Sequence, residues 1–145
     1  DDAILSKVRN ALSAGLKVIL CLGETSEEKK SGRTNYILTT KILILFDQLN
    51  RDSLKNITIA YEPEWAIGSN MMVNDRDVDI LAGELKKEIF RNYDKDLEIL
   101  YGGSINSYNI TNLSTMLNID GFLLGKSSSD LKEINDILLM CKEKY

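Results

Sequence analysis

Four short runs of apolar, mostly β-branched residues alternate along the chain with longer segments of helical period. The runs cover Val18–Leu22, Ile57–Tyr61, residues 97–101 and residues 121–124. Continuous apolar runs of this length, bounded by polar or glycine-containing segments, are typical of buried strands in a parallel sheet. The pattern therefore predicts four parallel strands.

Apolar residues that recur every three or four positions predict helices before, between and after these runs. The stripe of the first segment, residues 1–14, contains Ile4, Leu5, Val8, Ala11 and Leu12. The second contains Ile37, Leu38, Ile42, Leu45, Phe46 and Leu49, and the third contains Val78, Leu81, Leu85 and Ile89. Shorter helices are predicted at residues 110–117 and Leu131–Cys141. Asp130, with Glu133 three positions later, predicts a capped start for the last helix.

The order is a helix followed by four β-α units, which predicts one α/β domain over residues 1–145. Parallel strands joined by right-handed crossovers form either a doubly wound sheet or a piece of a barrel. A closed eight-stranded barrel takes about 250 residues, and this chain has 145. Because it also begins in a helical segment, we expect a preceding part of the domain to be absent.

Composition narrows the classes of function. The net charge is −4 and the lysines and arginines are scattered, which disfavours nucleic-acid binding. The apolar stretches are too short to span a bilayer. Cys21 and Cys141 lack metal-ligand spacing and are expected to be buried free thiols of a cytoplasmic protein. The absence of histidine excludes a Ser-His-Asp triad or a histidine metal site within this chain.

The segments that follow the strands carry the candidate chemistry, because ligands bind at the carboxyl ends of parallel strands. Two of them, residues 101–104 and 125–128, are glycine-rich, and glycine allows backbone N–H groups to approach a phosphate closely. A third places Glu62 before Pro63, the only proline, which restricts the backbone of Glu62 to an extended conformation. Together they predict a site for an anionic small molecule with a general base.

Each of these features also has a simpler interpretation. A Gly-Gly pair is more often a turn than a phosphate-binding loop, and a glutamate at a strand end is more often a solvated surface charge. Three such features on successive strand ends of one chain favour the functional interpretation.

Four segments, taken in chain order, resemble the triosephosphate isomerase family. Residues 60–68, Ala-Tyr-Glu-Pro-Glu-Trp-Ala-Ile-Gly, resemble its sixth strand and lid, and residues 100–104, Leu-Tyr-Gly-Gly-Ser, resemble its seventh-strand loop. Residues 18–24 and 120–125 are similar to its fifth and eighth strands. The resemblance covers essentially the whole chain. It implies strands five to eight of a (β/α)8 barrel, the C-terminal half, with the N-terminal half absent.

The resemblance also implies roles for individual residues. Glu62 would be the general base for aldose–ketose isomerisation of glyceraldehyde 3-phosphate and dihydroxyacetone phosphate, with no metal and no cofactor. Backbone N–H groups of Gly68, Ser104, Gly125 and Lys126 would bind the substrate phosphate. Glu24 and Tyr101 would support the lid, Glu24 through a hydrogen bond with the Trp65 indole or merely as a solvated neighbour. The lid itself would comprise Pro63, Glu64, Trp65, Ala66, Ile67, Gly68, Ser69 and Asn70.

The family's electrophilic histidine and N-terminal lysine have no counterpart in these residues. We therefore expect the 145-residue chain alone to be essentially inactive and to need the missing half in the same polypeptide or in trans. A homodimer is expected when the barrel is complete, with a phosphorylated small sugar as substrate and no membrane partner.

The motifs also depart from the family pattern at Glu64, Asn70, Met71 and Lys126. These departures leave open an isomerase of a four-carbon ketose phosphate such as erythrulose phosphate. A non-catalytic half-barrel that binds phosphate-bearing ligands or pairs with another chain also stays open.

Overall fold

The computed structural model describes residues 2–66 and 73–141, in which strands and helices alternate. The strands are β1 (Val18–Leu22), β2 (Ile57–Tyr61), β3 (Ile99–Tyr101) and β4 (Gly121–Phe122). The helices are α1 (Asp2–Ser13), α2 (Ser26–Lys30), α3 (Thr34–Phe46), α4 (Asp75–Tyr93), α5 (Ile110–Leu113) and α6 (Leu131–Cys141). Short 3-10 helices span Arg51–Asn56, Glu64–Ala66 and Lys126–Ser129.

The four strands form one parallel sheet in the order β1-β2-β3-β4. The predicted α/β class and the four parallel strands are thus confirmed. Closure of this sheet with a further four strands into a barrel stays a prediction.

The core lies on one face of the sheet, where the inward side chains of the strands pack against the helices. Alternate strand residues point to opposite faces, and Leu20, Ile59 and Tyr101 are buried on the core face. On the other face of β1, Ile19 is 52 % exposed and Cys21 is also exposed. The apolar run of β1 is therefore buried on one face only, because helices cover only that face.

Element boundaries differ from the prediction where local hydrogen bonds compete with regular structure. The third strand begins at Ile99 instead of residue 97, and the fourth ends at Phe122, although the Leu123 N–H still donates to the Tyr101 carbonyl at 2.9 Å. Helix α5 ends at Leu113 instead of residue 117, and the Ser114 hydroxyl donates to a carbonyl within the helix. Such hydroxyl bonds favour helix ends over helix interiors.

Helix α6 begins at the predicted cap, whereas α2 was not predicted from the sequence. Asp130 caps α6 as predicted, since its carboxylate accepts the backbone N–H groups of Lys132 and Glu133. The Glu133 carboxylate does not return to the cap and instead accepts the N–H and hydroxyl of Ser107. Helix α2 was not predicted, because none of its residues is buried and it has no apolar stripe.

Both cysteines are free thiols, as expected, but neither is buried. Cys21 is exposed on the uncovered face of β1, and Cys141 is half-buried at the end of α6. The predicted burial is therefore wrong. Within residues 2–66 and 73–141, no helix is both long and apolar enough to cross a bilayer.

Candidate active site

The carboxyl ends of all four strands lie at one edge of the sheet. The register aligns Leu22 with Tyr61, Tyr61 with Tyr101, and Tyr101 with Phe122. The segments after these residues therefore leave the sheet side by side. This is the edge at which the sequence predicts a site.

Glu62 follows β2 at this edge and is tied to the neighbouring strand through its backbone. Its N–H donates to the Leu22 carbonyl at 2.8 Å, and its side chain is half-buried. The side chain reaches across the end of β3, since a Cβ added to Gly102 would lie 2.7 Å from Glu62 Cγ and 2.8 Å from Oε1. On the other side, a Cβ on Gly23 would collide with the Glu62 carbonyl oxygen. The glycines that directly follow the two adjacent strands therefore leave room for the backbone and the side chain of Glu62.

The Cys21 thiol is the polar neighbour of Glu62 on the uncovered face. Partial burial raises the pKa of Cys21, and the negative charge of Glu62 and a side-chain hydrogen bond between the two groups raise it further. A raised pKa keeps the thiol protonated, so that it can donate to the carboxylate. From the sequence, Cys21 was predicted only to be a buried free thiol, and its position two residues before Gly23 at a strand end was the available signal.

Glu24 is a fully buried carboxylate beside the base of the segment that follows Glu62. Its Oε1 accepts hydrogen bonds from the Trp65 indole N–H at 2.9 Å and from the Tyr61 hydroxyl at 3.1 Å. The backbone N–H of Glu64 also donates to the Glu24 carbonyl at 3.1 Å. The indole–carboxylate bond is thus present, as the family resemblance implies. Burial, followed by the charge of Glu24, raises the pKa of Tyr61, which sequence reasoning did not single out.

Ser104 joins the loop after β3 to the chain that follows β2. Its hydroxyl donates to the Ala66 carbonyl at 2.8 Å, and its own carbonyl accepts the Asn109 side-chain N–H at 2.8 Å. The next residue, Ile105, accepts through its carbonyl the hydroxyl of Ser127 in the loop after β4. These hydrogen bonds join the loops after β3 and β4 to the chain that follows β2.

The remaining predicted site residues differ in their surroundings. Gly125 and Lys126 are exposed where the 3-10 turn after β4 begins, and no atom lies within 4 Å of a Cβ built on Gly125. Tyr101 is buried, with its phenol oxygen beneath Gly103. Burial and the nearby carboxylates of Asp75 and Glu24 raise the pKa of Tyr101 to about 12.

Part of the predicted lid and phosphate site falls outside the described residues. Pro63 is buried, Glu64 is exposed and Trp65 is half-buried in the first turn after β2. Ile67, Gly68, Ser69 and Asn70 lie outside the described ranges. In the ranges that are described, no group of three or more histidine, cysteine, aspartate or glutamate side chains could hold a metal ion.

The site brings together the buried carboxylate of Glu24, the strand-end carboxylate of Glu62 and the indole of Trp65. The model of the family described as triosephosphate isomerase matches residues 1–141. The chain belongs to the triosephosphate isomerase family. The resemblance stated from the motifs is therefore confirmed.

Individual relatives carry the same name. The chain is 38 % identical over 143 residues to triosephosphate isomerase of Protochlamydia amoebophila, covering 95 % of this chain and 54 % of the relative. It is 32 % identical to the Entamoeba histolytica enzyme, covering 100 % of this chain and 57 % of the relative. It is 33 % identical to the glycosomal enzyme of Trypanosoma cruzi, covering 88 % and 53 %. The chain thus spans about half the length of the curated relatives it matches.

Proposed function

We propose that this chain contributes the catalytic base of an aldose–ketose isomerase that interconverts glyceraldehyde 3-phosphate and dihydroxyacetone phosphate through an enediol, a reaction of glycolysis and gluconeogenesis. The observation that carries the proposal is the position of Glu62 at the carboxyl edge of the sheet, with its carboxylate over Gly102. Membership of the triosephosphate isomerase family supports it. A carboxylate held here can reach the carbons of a substrate bound over the strand ends.

The reaction needs one carboxylate that removes a proton from one carbon and returns it to the next. Such a base works when it is positioned within hydrogen-bond reach of the carbon acid and shielded from water. Residues 63–70 would supply the shield as a lid. The contacts of Trp65 and Glu64 with Glu24 support this role, because they fix the first turn of the lid relative to β1.

The substrate phosphate would be bound by backbone N–H groups of Gly68, Ser104, Gly125 and Lys126. Backbone N–H groups at glycine-containing loops are suited to anions because they carry partial positive charge and leave room for close approach. The Ser104–Ala66 and Ser127–Ile105 hydrogen bonds support this arrangement, since they join the three loops that would share the phosphate. Tyr101 would support the lid from below Gly103.

The 145 residues contain no histidine, so the family's electrophile would have to come from a complementary N-terminal half, in the same polypeptide or in trans. The uncovered side of the sheet supports this pairing. Ile19 is exposed on this side, and Ile4 of α1 and Ile44 of α3 are exposed beside β1, where a cleft of about 200 Å³ is lined by Ile4, Ile44 and Cys21. We expect the chain alone to be essentially inactive and the complete protein to be a cytoplasmic homodimer.

A second candidate keeps the base and changes the substrate to a four-carbon ketose phosphate. The exposed Lys126 favours it, because it departs from the family pattern and its ammonium group can supply an added contact to a longer substrate. A half-barrel that binds a phosphorylated ligand without turnover is the third candidate.

The test is turnover of glyceraldehyde 3-phosphate and of erythrulose phosphate by this chain, alone and combined with a complementary half. Triose turnover by the combination only is the expected result. Turnover of erythrulose phosphate alone would move the substrate to the second candidate. Phosphate-ligand binding without turnover of either sugar would contradict both isomerase proposals.

A further inference from the structure

The Trp65 indole is held at its edge and on its face by two residues of the segment between β1 and α3. Its N–H donates to Glu24 Oε1 at 2.9 Å. The Lys29 ammonium lies 5.4 Å from the centroid of the indole ring. Cations within about 6 Å of a tryptophan ring centroid are attracted by the negative charge of its face. Lys29 is therefore close enough to contribute to the position of the ring.

Lys29 is presented by α2, whose start is fixed by a reciprocal cap. The Glu28 N–H donates to the Thr25 hydroxyl at 3.2 Å, and the Thr25 N–H donates to the Glu28 carboxylate at 2.8 Å. The Lys41 ammonium donates to the Gly23 carbonyl at 3.1 Å and to Glu28 at 3.4 Å. These bonds tie α2 to α3 and to the end of β1. The Lys29 side chain therefore extends from a short helix whose position is fixed by hydrogen bonds.

The two contacts strengthen each other. An N–H that donates to a carboxylate leaves more negative charge on the ring, and a more negative ring attracts a cation more strongly. Glu24 is 0 % exposed, and its Oε2 has no hydrogen-bond partner in the described part of the chain. The carboxylate therefore depends on the indole and Tyr61 for its polar contacts, and any residue that keeps the indole in place also keeps Glu24 satisfied.

We infer that Lys29 is a positioning residue, which holds Trp65 against Glu24 and so fixes the direction of the chain that leaves the sheet after Glu62. Trp65 lies only three positions beyond Glu62, and Ala66, which follows it, accepts the Ser104 hydroxyl. A shift of the indole would therefore change the contacts with Glu24 after β1 and with Ser104 after β3, on the two sides of Glu62. The consequence for catalysis rests on the proposed function, whereas the position of the indole does not.

Hydrogen exchange of the Trp65 indole N–H, followed by NMR, tests this directly. Trp65 is the only tryptophan, so a single indole resonance reports the equilibrium between the held and released ring. Lys29→Met removes the charge and keeps the length of the side chain. The exchange rate should rise about two- to fivefold, as expected for loss of an exposed cation–π contact. The separate variant Lys29→Arg should keep the wild-type exchange rate, because it retains a cation over the ring.

Lys30→Met is the matched control, since Lys30 is an exposed neighbour on the same helix and should leave the rate unchanged. Backbone amide exchange of Ile59 in β2 separates a local release from global unfolding and should not change in either variant. Glu24→Gln should make the effect of Lys29→Met smaller, as a coupled pair requires.

Equal indole exchange in wild type and Lys29→Met would overturn the inference, as would equal acceleration by Lys30→Met. Lys29→Glu is the second variant and should accelerate exchange at least as much as Lys29→Met. These readouts need no turnover, so failure of the isomerase assay would remove the catalytic consequence and leave the positioning role standing.

Discussion

At the scale of single residues, the site depends on where side chains are missing as much as on where they are present. Glu62 could be predicted from the sequence, because it lies at a strand end and precedes the only proline. The requirement for glycine at position 102 could not be predicted, because it depends on the space beside Glu62, which is 40 positions away in the sequence. The glycine was predicted as a phosphate loop, and it also makes room for the Glu62 side chain.

Gly102→Ala should displace the carboxylate of Glu62. The added Cβ would lie 2.7 Å from Glu62 Cγ, so the side chain must move away. In the complemented enzyme, we expect kcat to fall about tenfold or more, because misplacing a catalytic group by a fraction of an ångström to one ångström is costly. The control is Gly83→Ala in α4, where the added Cβ would lie 3.1 Å from the side chain of Asn118 and far from Glu62 in sequence. Unchanged kcat in Gly102→Ala would contradict the described position of Glu62.

At the scale of elements, the apolar pattern predicted the long helices and the strands, but it did not predict α2, whose Lys29 lies over the Trp65 ring. Helix α2 has no buried residue, so hydrophobic periodicity gives no signal there. Its capping box, Thr25 with Glu28, was readable from the sequence. Lys29 could be placed over Trp65 only from the structure, because the contact joins segments that are distant in sequence.

The start of α4 gives a prediction at this scale. The Asn74 side chain, four positions after the end of the proposed lid, accepts the N–H groups of Arg76 and Asp77. Asn74→Ala should lower the free energy of unfolding by about 1 kcal/mol, because it removes an N-cap. Urea unfolding measures this change. Asn135→Ala, at an exposed position within α6, should cost nothing, and an equal loss in both variants would contradict the cap's contribution.

At the scale of the whole molecule, the sequence predicted the class of fold and the order of the elements, but the apolar run of β1 does not show which of its faces is covered. Ile19 and Cys21 of β1 are exposed, although the run is continuously apolar. What covers a sheet face depends on segments elsewhere in the chain or in a partner, and local periodicity carries no information about them.

The packed face makes a prediction about stability at alkaline pH. The pKa values of Tyr61, Tyr93 and Tyr101 are raised from 10.0, chiefly by burial, that of Tyr101 to about 12. Below pH 10, folded and unfolded chains both keep the phenol protons. Above pH 10 the unfolded chain loses them first, so stability should fall as the pH rises from 10 towards 12. Urea midpoints across this range should decline, and Tyr101→Phe should make the decline shallower. A flat profile up to pH 12 would contradict the burial of these phenols.

The most direct test of the central claim is the kinetics of Glu62→Asp in the complemented enzyme, with glyceraldehyde 3-phosphate as substrate. Shortening the side chain retains the charge and withdraws the base, so kcat should fall about a hundredfold while KM changes little. Glu98→Asp makes the same chemical change at an exposed position directly before β3, at the opposite edge of the sheet, and should leave kcat within about twofold. An unchanged kcat in Glu62→Asp, or an equal loss in both variants, would show that Glu62 is not the base.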